Sequence, residues 1–261
     1  MRIVFLTQDD PLYILPFFDE FFHQDLKDIE VAGIFSCKTM GDRSRWKLLS
    51  NLRCLYGTWG LTRLIARMVG YKVLALLPAG RSAKRFYSVP QICRSFGIEH
   101  AAIGNPNRDE YLNQIEALAP DLLVSIACPY ILKAQLLGLP PLGCINIHHA
   151  PLPRYKGMMP TFWQMYHGEK QLGVTIHTMA ARVDEGTALL QEQLPYSEKE
   201  SLDSLIRRTK RHGAHCMLAA LRRIAEQSQT TLKLDGVPGS YFAFPTPAEM
   251  KEFRRRGLRA I

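Results

Sequence analysis

Short apolar runs separated by helix-length stretches recur along most of this chain, and that alternation restricts its fold more than any other feature. Candidate strands lie at 2–7, 31–36, 100–103, 122–126, 143–148 and 173–179. Between them, 11–23 and 108–118 carry apolar residues at helical spacing. Such a pattern predicts an α/β fold with a doubly wound, mostly parallel sheet covered by helices on both faces. No G-x-G-x-x-G follows the first strand, where Thr7-Gln8-Asp9-Asp10-Pro11 stands instead, so the dinucleotide fingerprint of a dehydrogenase is absent.

With 261 residues and 47% hydrophobic content, the chain can bury a core as one domain, or as one domain plus an extension. No apolar run approaches the roughly 18 residues of a membrane span. The first apolar stretch is too short for a signal peptide and meets Asp9 and Asp10 at once, so a cytoplasmic protein is expected. The six cysteines form no C-x-x-C pair and sit in apolar contexts, which predicts buried thiols and neither a metal site nor a disulfide framework. A net charge of +9 invites a polyanion, yet no RNP-like strand, zinc finger or P-loop accompanies it. Solubilising surface charge or an anionic small molecule is the simpler reading.

Two regions interrupt the alternation. Residues 41–86 mix Arg43, Arg45, Lys47, Arg53, Arg63, Arg67 and Lys72 with Trp46, Trp59, Leu61, Leu64, Ile65, Met68 and Val69. This is a basic amphipathic insert, read either as helices packed on the domain edge or as a helix meeting a membrane surface or partner. After a core of 1–195, residues 196–261 form a C-terminal extension: a long helix at 201–226 capped by Ser201, a turn-rich 233–239, a short strand at 241–244 and a last basic helix at 247–256.

The chemistry concentrates at 143–157. There an apolar strand reaches Asn146 and His148 and breaks into a proline-rich loop. Period-two alternation sends Asn146 and His148 to one side of the sheet and Ile145 and Ile147 to the other. The pair sits at a strand's carboxyl end, where open α/β sheets bind ligands. An amide donor beside an imidazole suits the oxyanion of acyl transfer. No G-x-S-x-G elbow is nearby, which favours direct attack by an amine over an acyl-enzyme. Downstream, the strand at 173–179 leads to Asp184, Glu185 and Gly186. Asp184 reads either as a turn residue or as a general base and partner to His148.

Asn146-x-His148, the Leu152-Pro153-Arg154-Tyr155-Lys156-Gly157 loop, Gly173-Val174-Thr175 and Val183-Asp184-x-Gly186 resemble the 10-formyltetrahydrofolate-dependent formyltransferase family. The family's fold is Rossmann-like. The resemblance implies that Asn146, His148 and Asp184 pass a formyl group from the folate N10 to a primary amine. It also implies a folate site at the loop holding Tyr130, Ile131 and Leu132, faced by Arg182 and Val183. For Ile131 and Leu132, ordinary packing at a helix start is the alternative. One departure is visible: His149-Ala150-Pro151 replaces the family's Pro-Ser-Leu, with His149 expected on the face opposite His148.

Of the family's three branches, glycinamide ribonucleotide formyltransferase is nearly bare core, so the 41–86 insert and the C-terminal extension fit it poorly. The basic surface and the extension fit an amino sugar carried on a nucleotide or lipid phosphate. A methionyl-tRNA formyltransferase-like enzyme, acting on a nucleic acid, ranks second, because that branch places a β-barrel after the core. A formyltetrahydrofolate hydrolase would use the same three residues with water as the acceptor.

Overall fold

The computed structural model describes residues 1–37, 45–180, 184–197, 199–234 and 236–261, apart from the side chains of residues 45, 47 and 48. In chain order the elements are β1 (Arg2–Gln8), α1 (Leu15–Phe21), β2 (Glu30–Cys37), α2 (Arg45–Leu74), α3 (Val89–Phe96), β3 (Glu99–Ile103), α4 (Asp109–Ala117), β4 (Leu122–Ser125) and α5 (Ala134–Leu137). They continue with β5 (Cys144–His148), β6 (Lys156–Gly157), α6 (Pro160–Tyr166), β7 (Gln171–Thr178), β8 (Ala188–Pro195), α7 (Leu202–Ala225), β9 (Tyr241–Phe242) and α8 (Pro247–Arg255).

The main sheet runs β3-β2-β1-β4-β5-β7-β8. β1 to β5 are parallel, whereas β7 pairs antiparallel with β5 and β8 antiparallel with β7. The expected doubly wound, mostly parallel sheet is therefore present. Strand periodicity divides the apolar residues between two layers. Ile3, Phe5, Val124, Ile145 and Ile147 join α1, α3 and α7 in one core cluster, with Phe17, Phe18, Ile92, Met217 and Leu221 among its members. Val4, Leu6, Leu123 and Cys144 join α4 and α5 in another, through Leu112, Ile115 and Leu136.

β8 has no counterpart among the expected strands. Only Ala188, Leu189 and Leu190 are buried before the strand turns polar at Gln191-Glu192-Gln193, as suits a sheet edge. α1 begins later than the apolar spacing implies. The Asp10 carboxylate accepts from the backbone of Leu12 and Tyr13, which holds 10–14 in a turn ahead of the helix.

α7 starts at Ser201, whose hydroxyl accepts from Ser204 N at 3.3 Å. Its Ala214, Met217, Leu218, Leu221 and Ile224 pack against α1, β7 and β8, while Leu202 and Leu205 join Tyr56, Phe162 and Phe253 in a separate cluster. After α7 the chain returns to the loop that follows β5, where β9 pairs with β6. α2 is interrupted at Gly57, which takes φ 71, ψ 174, a conformation that favours glycine. Arg254 of α8 donates to the carbonyl of Cys54 at 2.5 Å and to that of Leu55 at 3.3 Å, beside this break.

Candidate active site

Asn146 and His148 face away from the α7 layer, at the carboxyl end of β5. The antiparallel register sets Asn146 opposite His177 and His148 opposite Thr175. Asn146 Nδ2 lies 3.1 Å from His177 Nε2, and His177 Nδ1 lies 2.8 Å from the Thr178 carbonyl. A carbonyl can only accept, so His177 carries its proton on Nδ1 and offers a bare Nε2 to the Asn146 amide. Burial lowers the pKa of His177, which favours this neutral form. The orientation of the Asn146 amide follows: one N–H is held by His177 and the other is free for an incoming oxygen.

His148 is fixed by the same logic. Its Nε2 donates to the Tyr155 carbonyl at 2.7 Å, leaving Nδ1 as the exchangeable nitrogen. Asp184 Oδ2 lies 3.5 Å from that Nδ1, and the two side chains are 7% and 8% exposed. The carboxylate accepts from Gly157 N at 2.9 Å through Oδ2, while Oδ1 lies 3.7 Å from His177 Nε2. Asp184 has φ 53, so the loop holds it in a left-handed conformation. Gly186 follows because a Cβ there would fall 1.5 Å from the Thr178 carbonyl oxygen. The three residues singled out in the sequence thus converge in space.

The loop between them is anchored from three directions. Thr175, fully buried, donates its hydroxyl to the Ala150 carbonyl at 2.7 Å and lies 3.2 Å from Leu152 N. Gln191 donates to the Leu152 carbonyl at 2.9 Å. From the C-terminal segment, Ser240 Oγ accepts from Tyr155 N and the Ser240 carbonyl accepts from Lys156 N, both at 2.9 Å. The His149-Ala150-Pro151 departure is held by Gln164, which donates to the His149 carbonyl at 2.8 Å, and by Thr175. His149 lies on the opposite face from His148, buried beside Lys210 and His212, with no hydrogen-bond partner on either ring nitrogen. Burial holds its pKa well below the ordinary imidazole value.

The residues expected around a folate divide. Ile131 is 66% exposed, and its carbonyl accepts from Asn107 Nδ2 at 2.9 Å. Leu132 is buried in the α4–α5 layer, so for this residue packing is the observed environment. Tyr130 packs partly buried on the same cluster. Arg182 and Val183 lie outside the described residues. Sequence reasoning missed His177, Asn107 and the carbonyl of Tyr155. Only His177 left a signal, as the one ionisable side chain of β7.

Among the described residues, one cluster has the donor types of a metal site. Glu192, His212 and Cys216 bring ligand atoms within 4.8 Å of one another. Glu192 Oε2 is 3.1 Å from His212 Nε2, and burial together with the Glu192 carboxylate pushes the Cys216 thiol up to about 12. All six cysteines are free thiols.

The profile of the family described as formyl transferase matches residues 81–221. Methionyl-tRNA formyltransferase of Syntrophus aciditrophicus (strain SB) is 43% identical over 145 residues, covering 56% of this chain and 44% of that protein. The chain spans about half the length of the curated relatives it matches. Glycinamide ribonucleotide transformylase 1 of Symbiobacterium toebii shares the fold, with a TM-score of 0.60 and 19% identity over 87% of this chain and 88% of that one. So does a sugar 3N-formyl transferase solved in the presence of dTDP and 5-N-formyl-THF, with a TM-score of 0.54 and 14% identity over 93% of this chain and 69% of that one. The profile match takes in β5, the loop after it, β7, β8 and most of α7, and the chain belongs to the formyl transferase family.

Proposed function

We propose that the protein is an N-formyltransferase that moves a formyl group from 10-formyltetrahydrofolate to a primary amine, with Asn146, His148 and Asp184 as its catalytic residues. One observation carries the reading. The Tyr155 carbonyl holds the His148 ring so that its exchangeable nitrogen faces the Asp184 carboxylate, with the oriented Asn146 amide on the same strand face.

In the proposed reaction the amine lone pair attacks the formyl carbon, forming the new C–N bond and an oxyanion. The free Asn146 N–H donates to that oxyanion, and a protonated His148 adds its positive charge. Asp184 removes the proton that the attacking nitrogen sheds. Collapse breaks the bond to the folate N10, which takes a proton from His148 Nδ1. The imidazole and carboxylate then return to their starting states, so protons balance over the cycle. For the donor we propose the loop of Tyr130, Ile131 and Leu132, with Arg182 and Val183 opposite. The exposed Ile131 supports apolar contact there, and the inward-facing Leu132 supports only a shaping role.

For the acceptor we propose an amino sugar on a nucleotide or lipid phosphate. Support comes from the fold shared with a sugar 3N-formyl transferase over 93% of this chain. A methionyl-tRNA acceptor is the second reading, favoured by the 43% identity to a methionyl-tRNA formyltransferase over 145 residues.

The test is a screen with purified protein and 10-formyltetrahydrofolate against nucleotide-linked amino sugars, unformylated Met-tRNA and glycinamide ribonucleotide. Amine-dependent release of tetrahydrofolate is expected, and Asn146→Ala and His148→Ala should lose it while staying folded. Release without any amine identifies a hydrolase instead, and full turnover in both variants removes the mechanism.

A further inference from the structure

From Arg43 to Ile98 the sequence holds eleven Lys and Arg and no Asp or Glu. α2 lies within this stretch, and its two faces have different fates. Leu55, Tyr56, Gly60, Leu61 and Leu64 turn inward, and Arg67 is held by Asp203 with nitrogen–oxygen distances of 2.6 and 3.0 Å. Facing outward are Ile65, Val69, Val73 and Leu76, spaced four, four and three residues apart, with Trp59 beside them. Trp59 is 80% exposed, Val73 59% and Leu76 83%. At 100° per residue, Lys72 flanks one side of this stripe and Arg63 the other, and both are exposed.

We propose that the outer face of α2 and the turn after it seat the protein on an anionic lipid surface. An exposed aliphatic stripe edged by cations, with a tryptophan at its border, is the arrangement that lies in a bilayer interface. The apolar residues enter the headgroup boundary while the Lys and Arg side chains reach the phosphates. No helix of the described residues is long and apolar enough to cross a membrane, so the helix would lie along the surface. Charge decides among occupants. A second copy would bring Arg63 and Lys72 against like charges, since α2 has no acid to offer its twin. A nucleic acid would satisfy the cations yet leave the stripe between them without a role. An anionic bilayer matches both, and it goes beyond the formyl-transfer reading, which does not require it.

Co-flotation of the full chain with phosphatidylcholine vesicles, with and without phosphatidylglycerol, tests the proposal. Binding is expected only with phosphatidylglycerol and should weaken as salt screens the surface. Each exposed cation should contribute about five-fold in partitioning. Val73→Glu should abolish flotation, and Arg63→Glu with Lys72→Glu should reduce it, each with an unchanged melting temperature. Trp59 emission should shift to the blue on binding. Absence of flotation overturns the proposal, as does flotation unchanged in both variants. A dimer broken by Val73→Glu, or tRNA binding lost on charge reversal, overturns it when vesicles are not bound. Formyl transfer to a soluble amine, read on the same preparations, keeps failure here distinct from failure of the catalytic assignment.

Discussion

The carboxyl edge of the sheet and the α2 edge use their polar side chains in opposite ways. At the sheet edge, every side chain of interest is held by another group of the chain: Asn146 by His177, His148 by the Tyr155 carbonyl, Asp184 by Gly157 N. On α2, Arg67 turns inward to a buried carboxylate, while Arg63 and Lys72 stay exposed beside bare aliphatic residues. Pre-organised donors cost no reorganisation when charge develops during a reaction. Exposed cations keep their freedom and draw in an outside anion. The difference separates a region shaped for chemistry from one shaped for contact.

The largest test of that contrast lies at the sheet edge. Asn146→Ala and His148→Ala should each lower turnover by about a hundred- to thousand-fold in a tetrahydrofolate-release assay, with the fold intact by circular dichroism. Asp184→Asn keeps an oxygen for Gly157 N but removes the charge facing His148, and a loss of roughly a hundred-fold is expected. Should these changes unfold the protein instead, the site would be structural and the contrast would fail.

On α2 the contrast is sharpened by comparing faces. Leu64→Ala, on the buried face, should destabilise the protein by about 3 kcal/mol in urea unfolding. Val73→Glu, on the outer face, should change stability by no more than about 0.5 kcal/mol. Equal costs would mean that the outer face is packed against something.

His149 supplies a smaller, pH-dependent effect. Its folded pKa is held below the ordinary value of 6.5, so below that pH the unfolded chain binds a proton that the folded chain refuses. Stability therefore rises with pH up to about 6.5 and then levels. His149→Leu should flatten that acid limb and raise stability near neutrality by about 1 kcal/mol, because two unpartnered ring nitrogens leave the core. An unchanged limb would assign the acid sensitivity to His177 or His100, the other imidazoles whose pKa burial lowers.

Much of this was legible beforehand, for a physical reason. β1, β2 and β4 announce themselves because a parallel strand covered on both faces is largely apolar. Alternation alone placed Ile145 and Ile147 against Asn146 and His148. His177 was not legible as a partner, because its role depends on the antiparallel register that sets it across from Asn146. β8 escaped because an edge strand needs apolar residues only where it is covered. The outer stripe of α2 was invisible as a surface. Helical spacing tells which residues share a face, whereas the neighbour on each face is set by tertiary packing around Tyr56, Leu64 and Asp203.

The contact of Ser240 with Tyr155 and Lys156 gives the tail a hold on the reaction. The residue whose carbonyl orients the His148 ring is itself tethered through its own amide to a segment some 85 positions away in sequence. A protease nick in the exposed stretch between α7 and β9 would therefore loosen the imidazole while every reacting side chain stayed on its strand. On the proposed reaction, displacing that stretch would lower turnover without any change at the substrates.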